Sequence, residues 1–358
     1  MLRSIKPLGS YWTDSTIMPR VRVSQTGSSV GAMTWLVTGG AGYIGSHVVR
    51  ALREAELPAM VLDDLSTGFE NFVPAGVPFV RGSILDGELL VRVMQQHHVT
   101  GVIHVAGYKY AGVSVTRPLH TYEQNVTGTA TLLAAMESCA VDRIVFSSSA
   151  AVYGTPTTEL VTENTPTSPQ SPYGESKLIG EWLLADQAVA RGLRHTSLRY
   201  FNVVGSAAPE LYDASPHNLF PLVFAALLDG RVPRINGDDY PTPDGTAVRD
   251  YIHVADLAAS HVAAARCLDA GEPVEPAYNL GSGAGSSVGD IMRAVQDATG
   301  IRFTPEIGHR RPGDPARIVA AGELAARDLD WTMRHTLREM VESQWIATRR
   351  ASQPSERD

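Results

Sequence analysis

The sequence predicts an α/β fold, a doubly wound parallel sheet carrying a smaller C-terminal α/β lobe. Three observations predict it. Short runs rich in Val, Ile and Leu stand unbroken by polar residues, as strands buried on both faces require. These runs alternate with stretches of helical spacing, which implies right-handed crossovers between parallel strands. The first run flows into Gly39-Gly40-Ala41-Gly42-Tyr43-Ile44-Gly45, a strand–turn–helix junction.

Six strands are expected, at Trp35–Thr38, Ala59–Asp63, Pro78–Arg81, Val102–Val105, Ile144–Ser148 and Thr196–Tyr200. Helical spacing runs through Gly45–Glu54, Thr121–Ser138 and Tyr173–Ala190, and a last helix is expected near Leu337–Trp345. After about Asn202 the pattern changes: Pro and Gly become frequent, and Gly237–Gly245 reads as a turn-rich loop. Residues 33–201 are therefore expected to form a dinucleotide-binding domain, and 202–350 mainly a substrate lobe at the carboxyl edge of the sheet. Residues 1–32 hold Arg3, Lys6, Arg20 and Arg22 against the single acid Asp14, with no apolar run behind them. They read as a disordered extension rather than a secretory signal. Residues 351–358 read as a flexible end.

Composition narrows the function classes. The chain has 358 residues, 44% hydrophobic and 19% charged, and a formal net charge of -8. That is ordinary for a globular protein and gives no basic stripe for nucleic acid. No apolar run approaches the roughly 18 residues of a membrane helix. Cys139 and Cys267 lie far apart, with neither disulfide-framework nor metal-ligand spacing, so a reducing cytoplasm is expected. The 11 histidines form no ligand cluster, and no metal is implied.

The glycine turn suits a phosphate. Gly39, Gly42 and Gly45 follow a strand and open a helix, where glycine allows a tight turn, close backbone approach and helix–strand packing. The N–H groups of Tyr43 and Ile44 then stand at a helix N-terminus, favourable for a pyrophosphate. Asp63 and Asp64 end the second strand, where a carboxylate accepts hydrogen bonds from the adenosine ribose hydroxyls. A carboxylate there repels a 2′-phosphate, so NAD is expected rather than NADP.

A second constellation carries chemistry. Ser147-Ser148-Ser149 ends a strand, and Tyr173 and Lys177 follow at i and i+4, on one helix face. A phenol titrates near 10 when unperturbed. An adjacent ammonium stabilises the phenolate, so Tyr173 is the expected base, Lys177 its electrostatic partner, and Ser149 the group that orients the substrate hydroxyl.

With these residues in hand, the chain resembles the extended short-chain dehydrogenases/reductases, and within them the UDP-glucose 4-epimerases. The resemblance rests on the glycine loop, Tyr173-x-x-x-Lys177, Ala106-Gly107-Tyr108-Lys109, Asn125-Val126-Thr127-Gly128-Thr129, Leu198-Arg199-Tyr200-Phe201-Asn202, Val248–Val254 and Arg310-Arg311-Pro312-Gly313-Asp314. It implies a Rossmann-like fold with NAD as cofactor, and oxidation and re-reduction at C4 of a UDP-hexose. The sugar turns over between the two hydride transfers. It further implies Ile84, Lys109 and Asn125 beside the cofactor. Asn202, Asn218, Arg249, Arg311 and Asp314 are implied on the substrate, together with Ser149 and Tyr173. A homodimer through the helices containing Thr121–Ser138 and Tyr173–Ala190 is also implied.

Three positions depart from the family. Ser83 stands where an Asp contacts the adenine, and Asn236 where an aromatic residue lies beside the uracil. Ile318 occupies a place where side-chain size affects room for an N-acetyl group. Other nucleotide sugars, such as UDP-N-acetylglucosamine or UDP-glucuronate, therefore stay open as substrates. So does a non-catalytic NAD-binding regulatory role. Sugar-nucleotide dehydration needs an acid pair beside the serine, and Ser149 is followed by Ala150-Ala151-Val152.

Overall fold

A computed structural model describes residues 33–158, 160–310 and 314–353. Residues 1–32 and Arg311 lie outside the described residues, and with them the expectations placed there.

The first half of the chain alternates as expected. Thr34–Thr38 (β1), Tyr43–Glu54 (α1), Ala59–Asp63 (β2), Phe79–Arg81 (β3), Gly87–Gln96 (α2) and Val99–His104 (β4) follow in order. Two short helices, Ala111–Ser114 (α3) and Pro118–Tyr122 (α4), precede a π-helical turn at Glu123–Thr127 and then Gly128–Ser138 (α5). Arg143–Ser147 (β5), Pro172–Arg191 (α6) and Arg194–Tyr200 (β6) complete this half. The second half runs through Asn202–Val204 (β7), Leu219–Leu228 (α7), Arg234–Asn236 (β8), Val248–Arg249 (β9), Tyr251–His253 (β10) and Val254–Ala270 (α8). Then come Ala277–Leu280 (β11), Ser286–Ser287 (β12), Val288–Thr299 (α9), Glu306–Gly308 (β13), Arg317–Ile318 (β14), Glu323–Leu329 (α10) and Leu337–Ser352 (α11).

Among the described residues, seven parallel strands form the large sheet in the order β11-β6-β5-β4-β1-β2-β3. The order reverses between β1 and β4, the switch point at which such sheets bind ligands. α1 and α8 cover one face, burying Val48, Val49, Leu52, Leu257 and Val262 against the strands. α2, α5 and α6 cover the other with Leu90, Met94, Leu132, Met136 and Leu184. A separate core under α7, α9 and α11 gathers Phe220, Phe224, Ile291, Val295, Val341 and Trp345.

Several expectations change. β11 is a seventh strand beyond the six expected; the chain comes back to the large sheet long after Asn202, and α8 returns with it. The expected helix Thr121–Ser138 is interrupted by the π-helical turn. The wide turn brings Asn125 inward, buried, and lets Gly128 pack on Ile84. α11 runs through Ser352, into the segment expected to be flexible, started by a reciprocal cap between Thr336 and Glu339. β4 starts at Val99 rather than Val102, and β5 ends at Ser147, leaving Ser148 and Ser149 beyond the ladder.

Buried polar groups tie the layers together. Arg199 lies between Glu181, at 2.5 and 2.9 Å, and the Tyr153 hydroxyl at 2.8 Å, while Ser148 donates to Glu181 at 2.5 Å. Four imidazoles are buried and neutral. His47 donates from Nδ1 to Tyr43 O, so its Nε2 accepts from Ala207 N. His261 donates to Leu257 O, so its Nε2 accepts from Ser147. His253 accepts from Ala255 N and meets Ser343, and His104 bridges Thr38 and Thr129. Burial lowers His47, His253 and His261 to about 4 and His104 to about 3. A second proton on any of the first three removes an acceptor already in use. Because the folded-state values lie below the unfolded value, the stability these rings contribute is fully present above about pH 6.5. It is lost as pH falls through about 4. Thermal unfolding between neutral pH and about pH 4 is expected to show a steadily falling midpoint; a flat midpoint across that window contradicts the assignment.

Candidate functional site

A cavity of about 1030 Å³ opens at the carboxyl ends of β1, β2, β4 and β6 and extends to β8 and β9. Its first wall is the glycine turn. Gly39 adopts φ +72°, and a Cβ there would lie 2.7 Å from Ala106 N. A Cβ on Gly45 would collide with the Gly39 carbonyl oxygen. The turn therefore tolerates no side chain at either position, and α1 starts directly against β1. Gly42 caps α1 without a side-chain bond, and no acid stands in the first turn. The N-terminal N–H groups are left for an anion.

Asp63 ends β2 at the same place. Its carboxylate accepts from Ala41 N at 3.0 Å and Leu65 N at 2.8 Å. Burial pushes the carboxyl up, and these N–H groups oppose the rise. Asp63 thus braces the glycine turn as well as facing the cavity, while Asp64 is exposed at its edge. Gly39, Gly42, Tyr43, Ile44, Ile84 and Lys109 line the cavity; Gly45 packs behind it. Ser83 turns away, accepting from Leu85 N at 3.2 Å. These residues fit a dinucleotide: a cradle that excludes any Cβ, an uncapped helix start, and a carboxylate pair at the ribose end.

The reacting wall is built by β5 and α6. Ser171 caps α6, accepting from Gly174 N, and Pro172 opens the helix with its φ already helical. Tyr173 and Lys177 both face the cavity. Lys177 is buried; its Nζ donates to Ser147 O at 2.9 Å and sits 5.0 Å from the Phe146 ring centroid and 5.9 Å from that of Tyr173. The three serines divide the work. Ser147 meets His261 and Ser148 meets Glu181, while Ser149 Oγ accepts from Ala151 N at 3.2 Å and stands close enough to Tyr173 to favour its ionised form.

The expectation of a depressed Tyr173 is corrected here. Burial lowers Lys177 to about 8 and raises Tyr173 above its ordinary value, with Ser149 working against the rise. The lysine's hydrogen bond goes to the Ser147 carbonyl, and burial is the largest influence on the phenol.

Asn125 has a structural role that the sequence does not announce. Its Oδ1 accepts from Tyr108 N at 2.6 Å, and its Nδ2 donates to Tyr108 O at 3.0 Å and to Ser176 at 2.8 Å. It holds the loop after β4 against α6 from behind the cavity wall.

The substrate candidates sit on the far wall. Asn202 donates to Asp250 O, and Asn218 donates to Asp213 at 2.7 Å. Arg249 pairs with Asp314 at 3.5 Å, so two residues expected to grip one nucleotide hold each other. All four line the cavity, as do Asn236 and Arg234. Ile318 does not; it is buried with Val152, Tyr153, Val161 and Leu178, with Phe201 packed over the cluster.

Sequence reasoning missed the second role of Tyr43 and several wall residues. The Tyr43 hydroxyl donates to Gly205 O at 2.5 Å and to Gln344 at 3.4 Å, tying the glycine turn to the lobe. Tyr108, Tyr110, His120, Tyr200, Asp213 and His217 also line the cavity. An aromatic-rich run after β4 was the available signal for the first two.

Residues 35–281 match the family described as NAD dependent epimerase/dehydratase. The chain belongs to this family. It is 45% identical to a UDP-glucose 4-epimerase of Azospirillum brasilense over 304 residues, 84% of this chain and 87% of that protein. A crystal structure of the UDP-glucose 4-epimerase from Brucella ovis in complex with NAD superposes with a TM-score of 0.84 at 40% identity, covering 87% of this chain and 97% of that one. That of the Bifidobacterium longum enzyme with NAD+ and UDP gives 0.80 at 36% identity, covering 89% and 98%.

The cradle yields a prediction for any member of the family built this way. Gly45→Ala is expected to lower dinucleotide affinity at least about tenfold, measured by titration of the stripped protein, because α1 must move off β1. Unchanged affinity rules out the cradle as the pyrophosphate site.

Proposed function

We propose that the chain interconverts UDP-glucose and UDP-galactose by transient oxidation at sugar C4, as a step of galactose metabolism. One observation carries the reading: a single cavity joins the glycine-turn cradle, Tyr173 and Lys177, and the Arg249–Asp314 pair.

NAD is the cofactor, held at Gly39, Gly42, Tyr43, Ile44, Asp63, Ile84 and Lys177. When bound it supplies a reversible hydride acceptor and, oxidised, a positive charge. Tyr173 takes the 4-hydroxyl proton at its phenolic oxygen and later returns it. Ser149, close to that phenol, holds the hydroxyl in line. Lys177 stays protonated at neutral pH, below its value of about 8, and stabilises the Tyr173 phenolate, the form that accepts the substrate proton and is thereby converted to the phenol. The positive charge added by the oxidised cofactor works against the burial that holds Tyr173 up. Proton and hydride both return to the sugar, so the cofactor is regenerated and no co-reactant is consumed. Arg249, Arg311 and Asp314 are assigned to the nucleotide, arginine's planar fork suiting diphosphate oxygens. Fixing the nucleotide while the hexose is loosely held lets the keto sugar turn over.

Incubation of the protein with UDP-galactose, followed by chromatography, is expected to give UDP-glucose. Tyr173→Phe is expected to slow this about a thousandfold while the dinucleotide stays bound. No conversion by the wild-type protein with NAD supplied sinks the reading.

The unpaired thiols Cys139 and Cys267 support placement in the cytoplasm, and no described helix is long and apolar enough to cross a membrane. We assign a homodimer to the helices flanking the reacting wall. Leu119 is 83% exposed, and on α6 Trp182 and Val189, seven residues apart on one face, are 57% and 92% exposed. Trp182→Glu together with Val189→Glu is expected to convert a dimer to a monomer in light scattering; an unchanged mass places the interface elsewhere.

A further inference from the structure

The loop after β4 is pinned at both ends to the reacting pair. A Cβ on Gly107 would stand 3.8 Å from Lys177 Nζ, and Ser114 accepts from Tyr173 N at 3.1 Å. Tyr110 lies between these anchors in sequence, and it lines the same cavity as Tyr173 and Lys177. From the opposite side comes the segment that leads into α7, carrying Ser215, His217 and Asn218. The two meet. Tyr110 and His217 pack edge to face with ring centroids 4.8 Å apart, and Ser215 Oγ accepts from His217 N at 3.3 Å. The contact is braced from behind: Tyr108 packs edge to face on Tyr110 at 5.4 Å and on His120 at 5.0 Å. The Tyr108 backbone is clamped in turn by Asn125.

We propose that Tyr110 and His217 form a roof over the hexose end of the cavity and set which UDP-sugars turn over, favouring a plain hexose over an N-acetylhexosamine. The proposal deepens the epimerase reading and rests on it. Both residues line the cavity, whereas Ile318, where the family resemblance places control of N-acetyl room, is buried beneath Phe201. A braced tyrosine has few rotamers to move into, so the roof is a fixed wall rather than a yielding one. The keto sugar must turn over beneath it. An added acetyl group enlarges the volume swept by that turn, and a fixed wall penalises it in the turning state more than in nucleotide binding.

The test compares kcat/KM for UDP-galactose and UDP-N-acetylgalactosamine in wild type, Tyr110→Phe, Tyr110→Ala and His217→Ala. Wild type is expected to prefer the plain hexose. Tyr110→Ala and His217→Ala are expected to shift the ratio toward the N-acetyl sugar about tenfold, with the affinity for UDP alone and the retained NAD unchanged. Tyr110→Phe, which keeps the ring, is expected to keep the wild-type ratio. Equal loss on both sugars, or a ratio within about twofold of wild type in both alanine variants, overturns the roof. Wild-type protein that epimerises neither sugar defeats the epimerase reading itself, a distinct result.

Discussion

The site depends on a place where no side chain fits. Gly45 lies against the Gly39 carbonyl, and that approach sets the position of α1 relative to β1. From it follow the direction of the uncapped helix start and the hold of Asp63 on Ala41. The mouth of the switch point between β1 and β4 follows as well. Everything that faces the cavity from the first half of the chain is referenced to this contact. It is a packing constraint between backbones, so no rotamer change can absorb an addition to it.

The reacting wall shows how one environment moves two groups in opposite directions. Desolvation alone raises a phenol and lowers an ammonium, and Tyr173 and Lys177 respond as it dictates. The pair is brought together at i and i+4, but the lysine's nearest oxygen is Ser147 O. The protein therefore supplies placement, and both groups sit where burial disfavours their charged forms.

Much of this was legible in the sequence because it is local. Strand–turn–helix order, glycine spacing, the acid at the end of β2 and the i, i+4 pair are all written within short windows. What was not legible depends on distant partners. β11 joins the sheet beside β6 across the whole of the lobe. That the Asn125 amide closes on Tyr108 and Ser176 depends on the π-helical turn and on α6, neither of which is written in its own window. Arg249 and Asp314 each read as a ligand for the nucleotide, and only their proximity shows the ion pair between them. Ile318 reads as a wall residue, yet Phe201 stands over its cluster.

The Tyr43 hydroxyl has a consequence for the order in which the molecule is made. Its partners, Gly205 and Gln344, lie 162 and 301 residues further along the chain. On the ribosome the glycine turn emerges early; its tie to Gly205 waits for the start of the lobe, and its weaker tie to Gln344 waits for α11. Contacts of such separation close late, because the loop entropy must be overcome before they form. The nascent first half can lay down its strands on its own schedule. The cradle's full set of ties to the lobe is therefore a late event in folding, set by the sequence separation of its partners.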